Sequence, residues 1–324
     1  MCIITPALRA SNAGNWHTAA RWAGFLRADY RVRVLQHWDG VPCDLMIALH
    51  ARRSADAVAR FRNACPQRPV VVVLTGTDLY RDLPGSRQAQ RTLERADRLV
   101  VLQTLGLDAL PQRHRGKARV IHQSARSLSR SPPRRRTFDV AVVGHLRDEK
   151  DPFTVMRAAC ALPVESRVRL LHAGAALSRR FADAARRTEA RTAHYRWLGD
   201  LPRPRARQLM QRSALLLHPS KMEGGAQVII EALRSGTPVL ASSADGNVGL
   251  LGRGYPGLFP VGDVARATKL LERAAEDPSF LRRLDAACRI RAQLFEPKLE
   301  RAAVRKLVRE LLHNRSQTNR RTSR

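Results

Sequence analysis

The stretch His218-Pro-Ser-Lys-Met-Glu-Gly-Gly-Ala-Gln-Val-Ile-Ile-Glu-Ala-Leu233 holds the residue types best suited to gripping a charged ligand. An apolar run, 214–217, enters a polar loop with Pro219 and Ser220. Gly224, Gly225 and Ala226 follow, and then a helical pattern begins. A strand that ends in a Gly-rich turn and feeds a helix aims free N–H groups at whatever lies in front, and those groups favour phosphate. Glu223 and Glu231, eight residues apart, fall one before the helix and one inside it. They could grip hydroxyls on either side of a diphosphate, those of a sugar and of a ribose, as a nucleotide-sugar site requires. The bare spacing is met equally by an acid favoured by the helix dipole plus a solvated Glu231. The continuation Ala-Leu-Arg-Ser-Gly-Thr-Pro-Val-Leu-Ala-Ser narrows the choice, because it reads as a helix capped by Gly236 and then a buried strand from Val239.

Other strand ends carry chemistry too. Gly144-His-Leu-Arg-Asp-Glu-Lys-Asp-Pro152 follows an apolar run and opens a helix at Pro152. A glycine there lets a ligand approach the backbone. Arg147 and Lys150 either face that ligand or pair with Asp148, Glu149 and Asp151 on the surface. Thr75, Gly76, Thr77 and Asp78, with Arg81, follow the apolar run 70–74 and form either a binding wall or a turn in which Asp78 caps a helix. His50-Ala-Arg-Arg53 also ends a strand, and Arg52 and Arg53 can bind an anion or belong to a basic surface. Asn15, in the glycine loop 11–15, either caps a helix or faces a ligand. The loop lacks Gly-x-Gly-x-x-Gly, so a dinucleotide fingerprint is absent. Lys221 adds charge beside Glu223 or is a plain loop lysine. His17, His37, His114 and His172 show no metal-ligand spacing and read as structural or surface residues.

These loops need a scaffold to hold them. Short apolar runs alternate with amphipathic helical patterns, which predicts parallel α/β sheets with helices on both faces. Strands are expected at 2–5, 32–36, 45–49, 70–74, 99–102 and 119–122, with helices at 16–28, 54–64 and 88–96. A Ser/Pro/Arg stretch, 124–136, reads as a linker. The pattern then restarts, with strands at 138–143, 168–172, 195–198, 215–218 and 239–241. Helices are expected at 152–161, 178–191, 205–211, 227–235, 265–276, 279–294 and 297–313. The resulting domains are 1–130 and 137–296, followed by a C-terminal helix 297–313 and a disordered basic tail 314–324. Two doubly wound domains imply a ligand cleft beyond the carboxyl ends of their strands.

Composition sets the outer bounds. A chain of 324 residues with 44% hydrophobic residues can build two cores. No apolar run approaches a membrane span, and the start lacks the basic and apolar regions of a signal peptide. Five scattered cysteines, with no Cys-x-x-Cys, suggest neither a zinc site nor a disulfide framework. A cytoplasmic location is therefore expected. The net charge of +30 invites a nucleic-acid reading. The charge is spread along the chain, however, and aromatics are only 5%, too few for base-stacking platforms. A solvated arginine-rich surface with a basic cleft for polyanionic small molecules accounts for it, and no specific nucleic-acid partner is expected.

The two-domain layout, Gly144…Lys150 and Glu223-x7-Glu231 resemble group 1 GT-B glycosyltransferases, the retaining group that includes sucrose and mannosyl transferases. A narrower set of motifs is similar to the SenB-type selenosugar synthases of selenoneine biosynthesis: His50-Ala-Arg-Arg-Ser, Leu74-Thr-Gly-Thr-Asp-Leu-Tyr-Arg-Asp-Leu, Gly144-His-Leu-Arg…Lys150-Asp-Pro, Met222-Glu-Gly-Gly-Ala and Val248-Gly-Leu-Leu-Gly…Tyr255-Pro-Gly…Phe259-Pro-Val-Gly-Asp263. It spans residues 1 to about 312. That resemblance implies transfer from a UDP-sugar, UDP-N-acetylglucosamine in the first instance, to selenophosphate, giving a 1-seleno sugar. It also implies a functional link to a selenophosphate synthetase, and no metal or other cofactor. Lys150, Arg147 and Glu223 would be catalytic. Gly144, Lys150, Ser220, Glu223, Gly224, Gly225, Ala226 and Glu231 would bind the donor, with Glu231 on the ribose. Asn15, Arg52, Arg53, Thr75, Gly76, Thr77, Asp78 and Arg81 would bind the acceptor. The broader group usually has Arg directly after the strand-end glycine, where this chain has His145, which leaves Arg147 to supply that charge. An ordinary glycosyltransferase acting on a hydroxyl of a sugar, lipid or small molecule is the alternative, and a basic nucleic-acid-binding protein the remote one.

Overall fold

The computed structural model describes residues 1–7, 14–130 and 136–322, with side chains described up to residue 313. The chain divides into two units, one of Met1–Gln123 with Pro297–Arg324 and the other of Ser124–Glu296. Each is built on a six-stranded sheet whose strand pairs are all parallel.

In the first unit the strands are β1 (Cys2–Ile4), β2 (Arg33–Leu35), β3 (Met46–Leu49), β4 (Val70–Leu74), β5 (Arg98–Val101) and β6 (Ala118–Val120), in the order β2-β1-β3-β4-β5-β6. β4 is Val-Val-Val-Val-Leu and is buried along its whole length. Stiff β-branched side chains suit the pleat, and a parallel strand covered on both faces reads as a continuous apolar run. Alternate residues serve opposite cores. Met46, Ala48, Val70 and Val72 meet Phe61 and Leu93 of the helices Ala55–Ala64 and Arg87–Arg95. Ile47, Leu49, Val71 and Val73 meet Trp22 and Leu26 of the helix Gly14–Leu26.

The last helix, Pro297–Thr322, completes that second core with Val304, Leu307, Val308 and Leu311, a stripe at helical period. Glu300 anchors it, accepting from Trp22 Nε1 and Arg21 Nε at 2.8 Å each. The helix expected to stand apart after the second domain is thus part of the first unit. Its span runs to Thr322, into the stretch read from the sequence as a basic tail, 314–324. No Gly or Pro follows Pro297, and a helix nucleated by packed turns gains one hydrogen bond per added residue. Residues 323–324 of that tail lie outside the described residues, as does 11–13 of the glycine loop.

The second unit holds β7 (Phe138–Val143), β8 (Val168–Ala173), β9 (Tyr195–Trp197), β10 (Leu215–His218), β11 (Val239–Ser242) and β12 (Leu258–Phe259), in the order β12-β11-β10-β7-β8-β9. β12 was not foreseen, since two residues cannot display an alternation. The chain steps outward from β7 to β9, then returns to lay β10 on the other side of β7. Strand order therefore reverses between β7 and β10, and ligands of such sheets sit beyond the strand ends at this point. The expected free linker is docked where it is described. Ala125 N–H donates to Phe295 O at 3.2 Å, Leu128 N–H to Arg234 O at 3.3 Å, and Arg130 lies 3.8 Å from Asp285. A segment without apolar periodicity can still satisfy its backbone on a neighbour. Residues 131–135 lie outside the described residues. Among the described residues no helix is long and apolar enough to cross a membrane.

Candidate active site

Both loops singled out in the second unit leave the sheet at the point of reversal, 144–151 after β7 and 219–226 after β10. A short 3-10 turn, Asp148–Lys150, is followed by Asp151 at φ 47°. That left-handed conformation is uncommon outside glycine and is tolerated by Asp. Asp151 Oδ2 accepts from Thr154 Oγ1 at 2.7 Å, securing the start of the helix Pro152–Ala161. The turn delivers Lys150 Nζ to Glu223 Oε1 at 2.5 Å. Lys150 thus reaches across to the Glu223 loop instead of pairing with the acids beside it. Its aliphatic stem lies over Gly144, where an added Cβ would stand 3.5 Å from Lys150 Cδ.

His218, the last residue of β10 and 2% exposed, brings Nε2 to 3.0 Å from the same Glu223 oxygen. Ser220 Oγ stands 3.1 Å from that nitrogen. Burial pushes the Glu223 carboxyl up, but the Lys150 ammonium and the His218 hydrogen bond outweigh it and hold the group well below the usual carboxylate range. Burial drives His218 below its ordinary value against the pull of Glu223, so the ring is neutral and donates Nε2–H to the carboxylate. Beneath the loop, Ser242 Oγ donates to Ser220 O, and Asn247 Nδ2 donates to Ser242 Oγ at 2.9 Å.

Glu231 lies in the helix Gln227–Arg234 and is buried. It does not face water freely: Arg203 donates to its Oε1 from Nε at 2.9 Å and from Nη2 at 2.5 Å. Arg207, one turn further along the helix Arg203–Arg212, also lies in its field. Ala226 occupies the N-cap of the Glu231 helix without a side-chain cap, so it leaves the first-turn N–H groups beside Gly224 and Gly225 uncapped. Arg147 pairs with Glu149 at 3.7 Å, the surface alternative. Lys221 is exposed, and its Nζ lies 4.0 Å from Asp151. His145 does not stand in for an arginine. Its Nδ1 accepts from Ala175 N–H at 3.2 Å, and burial lowers its pKa, so it ties two loops together as a neutral ring.

In the first unit the residues after β3 and β4 form one cluster. Asp78 is fully buried and holds the loop together. Its Oδ1 accepts from Thr75 N at 2.9 Å and Gly76 N at 2.8 Å, and its Oδ2 from Ala51 N at 2.9 Å. Asp78 therefore organises the loop through both of its oxygens. Asp82 is engaged by Arg52 and Arg81, each at 3.3 Å. Arg52, Arg53 and Arg81 are exposed. Asn15 is the second residue of the helix Gly14–Leu26 and half-buried, so it is not an N-cap.

A family model described as glycosyl transferases group 1 matches residues 129–293, half of the chain, and covers both loops of this site. The chain belongs to that family. In fold it is similar to sucrose-phosphate synthase from Thermosynechococcus elongatus, at 17% identity over 97% of this chain and 99% of that one, TM-score 0.77. It is also similar to HepE from Anabaena, solved with UDP and glucose, at 17% identity over 96% and 100% of the two chains, TM-score 0.75. The fold of this glycosyltransferase is thus GT-B. A curated relative, protein CapJ of Staphylococcus aureus, is 42% identical over 60 residues, which span 18% of this chain and only 15% of CapJ.

Sequence reasoning about this glycosyltransferase left His218, Arg203, Arg207 and Asn247 without roles. His218 ends an apolar run and carries no spacing signal, and Arg203 lies 28 residues from the acid it holds. His218 has a testable consequence. Replacing it with Leu removes one of the two donors that keep Glu223 ionised, so the carboxyl's proton affinity must rise. The acid limb of the kcat/KM profile is expected to move to higher pH in His218→Leu, with the neutral plateau less affected. An unmoved limb would mean that His218 does not govern the Glu223 charge.

Proposed function

We propose that this glycosyltransferase transfers a sugar from UDP-N-acetylglucosamine to selenophosphate, forming a 1-seleno sugar for selenoneine biosynthesis. The C1–O bond to the β-phosphate breaks and its electron pair leaves with UDP. A selenium lone pair of selenophosphate forms the C1–Se bond. Cleavage of the Se–P bond by water, here or elsewhere, then yields the selenol and phosphate. Lys150 and the N–H groups at Gly224–Ala226 would stabilise the charge growing on UDP. Glu223 would hold the donor sugar. Glu231 would hold the ribose diol, with Arg203 giving way or sharing it. A UDP donor is supported by HepE, a protein of the same fold solved with UDP.

One observation carries the choice of acceptor. Among the described residues that follow β3 and β4, the two acids are committed, Asp78 to backbone N–H groups and Asp82 to arginines, while Arg52, Arg53 and Arg81 are exposed. Such a cluster offers donors and positive charge and, among the described residues, no uncommitted carboxylate to serve as a base. It suits an acceptor that arrives already anionic, as selenophosphate does.

Mass spectrometry of the purified protein with UDP-N-acetylglucosamine, with and without selenophosphate generated in situ, tests this. A selenium isotope pattern on a hexosamine, with UDP released only when selenophosphate is present, is the expected result. UDP release onto a hydroxyl acceptor alone overturns the acceptor. The Glu231→Ala variant is expected to lose most activity through weakened UDP-sugar binding, and wild-type donor affinity in it would overturn the ribose assignment.

A further inference from the structure

His50 directly follows β3 at φ 72°, a left-handed conformation uncommon outside glycine and held here by its surroundings. The ring is buried. Arg53 N–H donates to its Nδ1 at 3.3 Å, so the ring proton sits on Nε2. Nε2 lies 3.1 Å from Thr77 Oγ1 and 3.8 Å from Asp82 Oδ2, and therefore donates to the Thr77 hydroxyl. Burial lowers the pKa of His50 against the pull of Asp78 and Asp82, with Arg53 adding to the lowering, which keeps the ring in this neutral form. Thr77 Oγ1 accepts from His50 and must turn its own hydrogen elsewhere. Among the described residues no acceptor takes that hydrogen, and Thr77, three residues beyond β4 and beside Asp78, is half-buried.

We propose that Thr77, oriented by His50, donates a hydrogen bond to an oxygen of a tetrahedral oxyanion acceptor and is a specificity-determining residue for it, with His50 as its positioning residue. The inference rests on the anionic-acceptor reading above. A hydroxyl already turned outward as a donor favours an acceptor that brings lone pairs over one that brings a proton. Asp78 fixes the Thr75–Gly76 backbone, His50 fixes the Thr77 rotor, and the exposed arginines supply the charge.

The test uses the full chain with Thr77→Val, Thr77→Ser, His50→Leu and His50→Gln. Inorganic thiophosphate, similar in shape and charge to selenophosphate, serves as the binding probe, followed by phosphorus NMR. Thr77→Val is expected to raise the thiophosphate Kd and the selenophosphate KM about tenfold or more, the loss of a hydrogen bond to a charged group. The UDP-sugar KM should stay unchanged, and Thr77→Ser should restore binding. His50→Leu should reproduce the defect, and His50→Gln, which keeps an N–H near Nε2, should largely rescue it. A purely structural role would not separate the two substrates in this way. If Thr77→Val does not fold, Thr77→Ala carries the same test. Unchanged acceptor constants in Thr77→Val, beside a defect when Arg52, Arg53 and Arg81 are replaced together, would overturn the role of Thr77 and leave the anion site standing. No defect in either set would remove the acceptor reading and this inference with it.

Discussion

Replacing Lys150 with Ala is expected to lower kcat by about a hundred- to a thousandfold, the range seen when one preorganised charge-stabilising donor is removed. Lys150 has two tasks at one place. It brings a positive charge to the strand end where UDP is proposed to leave, and it holds Glu223 as an anion through a 2.5 Å contact. Without it, only His218 opposes the burial that favours protonated Glu223. The sign follows from linkage. A carboxyl held below its ordinary value contributes stability and charge above that value, near 4.5 for Glu, and loses both as pH falls through its folded pKa. In Lys150→Ala that loss begins at higher pH, so residual activity should fall with acidification where the parent protein stays level. The fold should survive. Lys150 retains 21% side-chain exposure, so the loss stays below the roughly 3–5 kcal/mol of breaking a fully buried pair. A Lys150→Ala protein with near-parental kcat would remove Lys150 from the chemistry, and one with parental kcat/KM at every pH would also remove its hold on Glu223.

The sequence was most legible where a single period decided the structure. β4, β7, β10 and the helix Pro152–Ala161 lie where apolar runs and a proline place them. Glu223 and Lys150 could be named because a Gly-rich turn between strand and helix has few uses. Their contact could not, since 73 residues separate them and only the parallel pairing of β7 with β10 brings the loops together. Asp78 was open between wall and cap, and its three backbone bonds show that it shapes the loop. His145 looked like a missing charge, and burial plus the Ala175 N–H make it a neutral tether. The last helix was placed by period alone, yet its docking on Trp22 depends on side chains almost 280 residues away. Partners distant in sequence leave no periodic trace, and that accounts for most of what was missed.

Gly246→Ala is expected to disable the proposed donor site by displacing Glu223, with every proposed substrate-binding side chain left in place chemically. Gly246 is the second residue of the helix Asp245–Leu251. A Cβ there would stand 2.0 Å from Glu223 O, 2.5 Å from Glu223 C and 2.7 Å from Glu223 Cβ. These are mostly backbone atoms, so no side-chain rotation relieves the clash. The helix cannot easily retreat, because Asn247 is buried and bonded to Ser242, which in turn holds Ser220 O. The Glu223 loop must therefore shift. Overpacking of this kind costs about 1–3 kcal/mol, and a displacement of about 1 Å at a reacting group can lower turnover about a hundredfold. Thermal unfolding and donor kinetics of Gly246→Ala should show a modest drop in Tm beside a far larger loss of kcat/KM. Gly254→Ala is the control, since nothing lies within 4 Å of a Cβ at Gly254 in the same unit, and it should match the parent in both. If Gly246→Ala folds and turns over a UDP-sugar as the parent does, the Glu223 loop can move without consequence, and the tight placement of that carboxylate is not what this glycosyltransferase depends on.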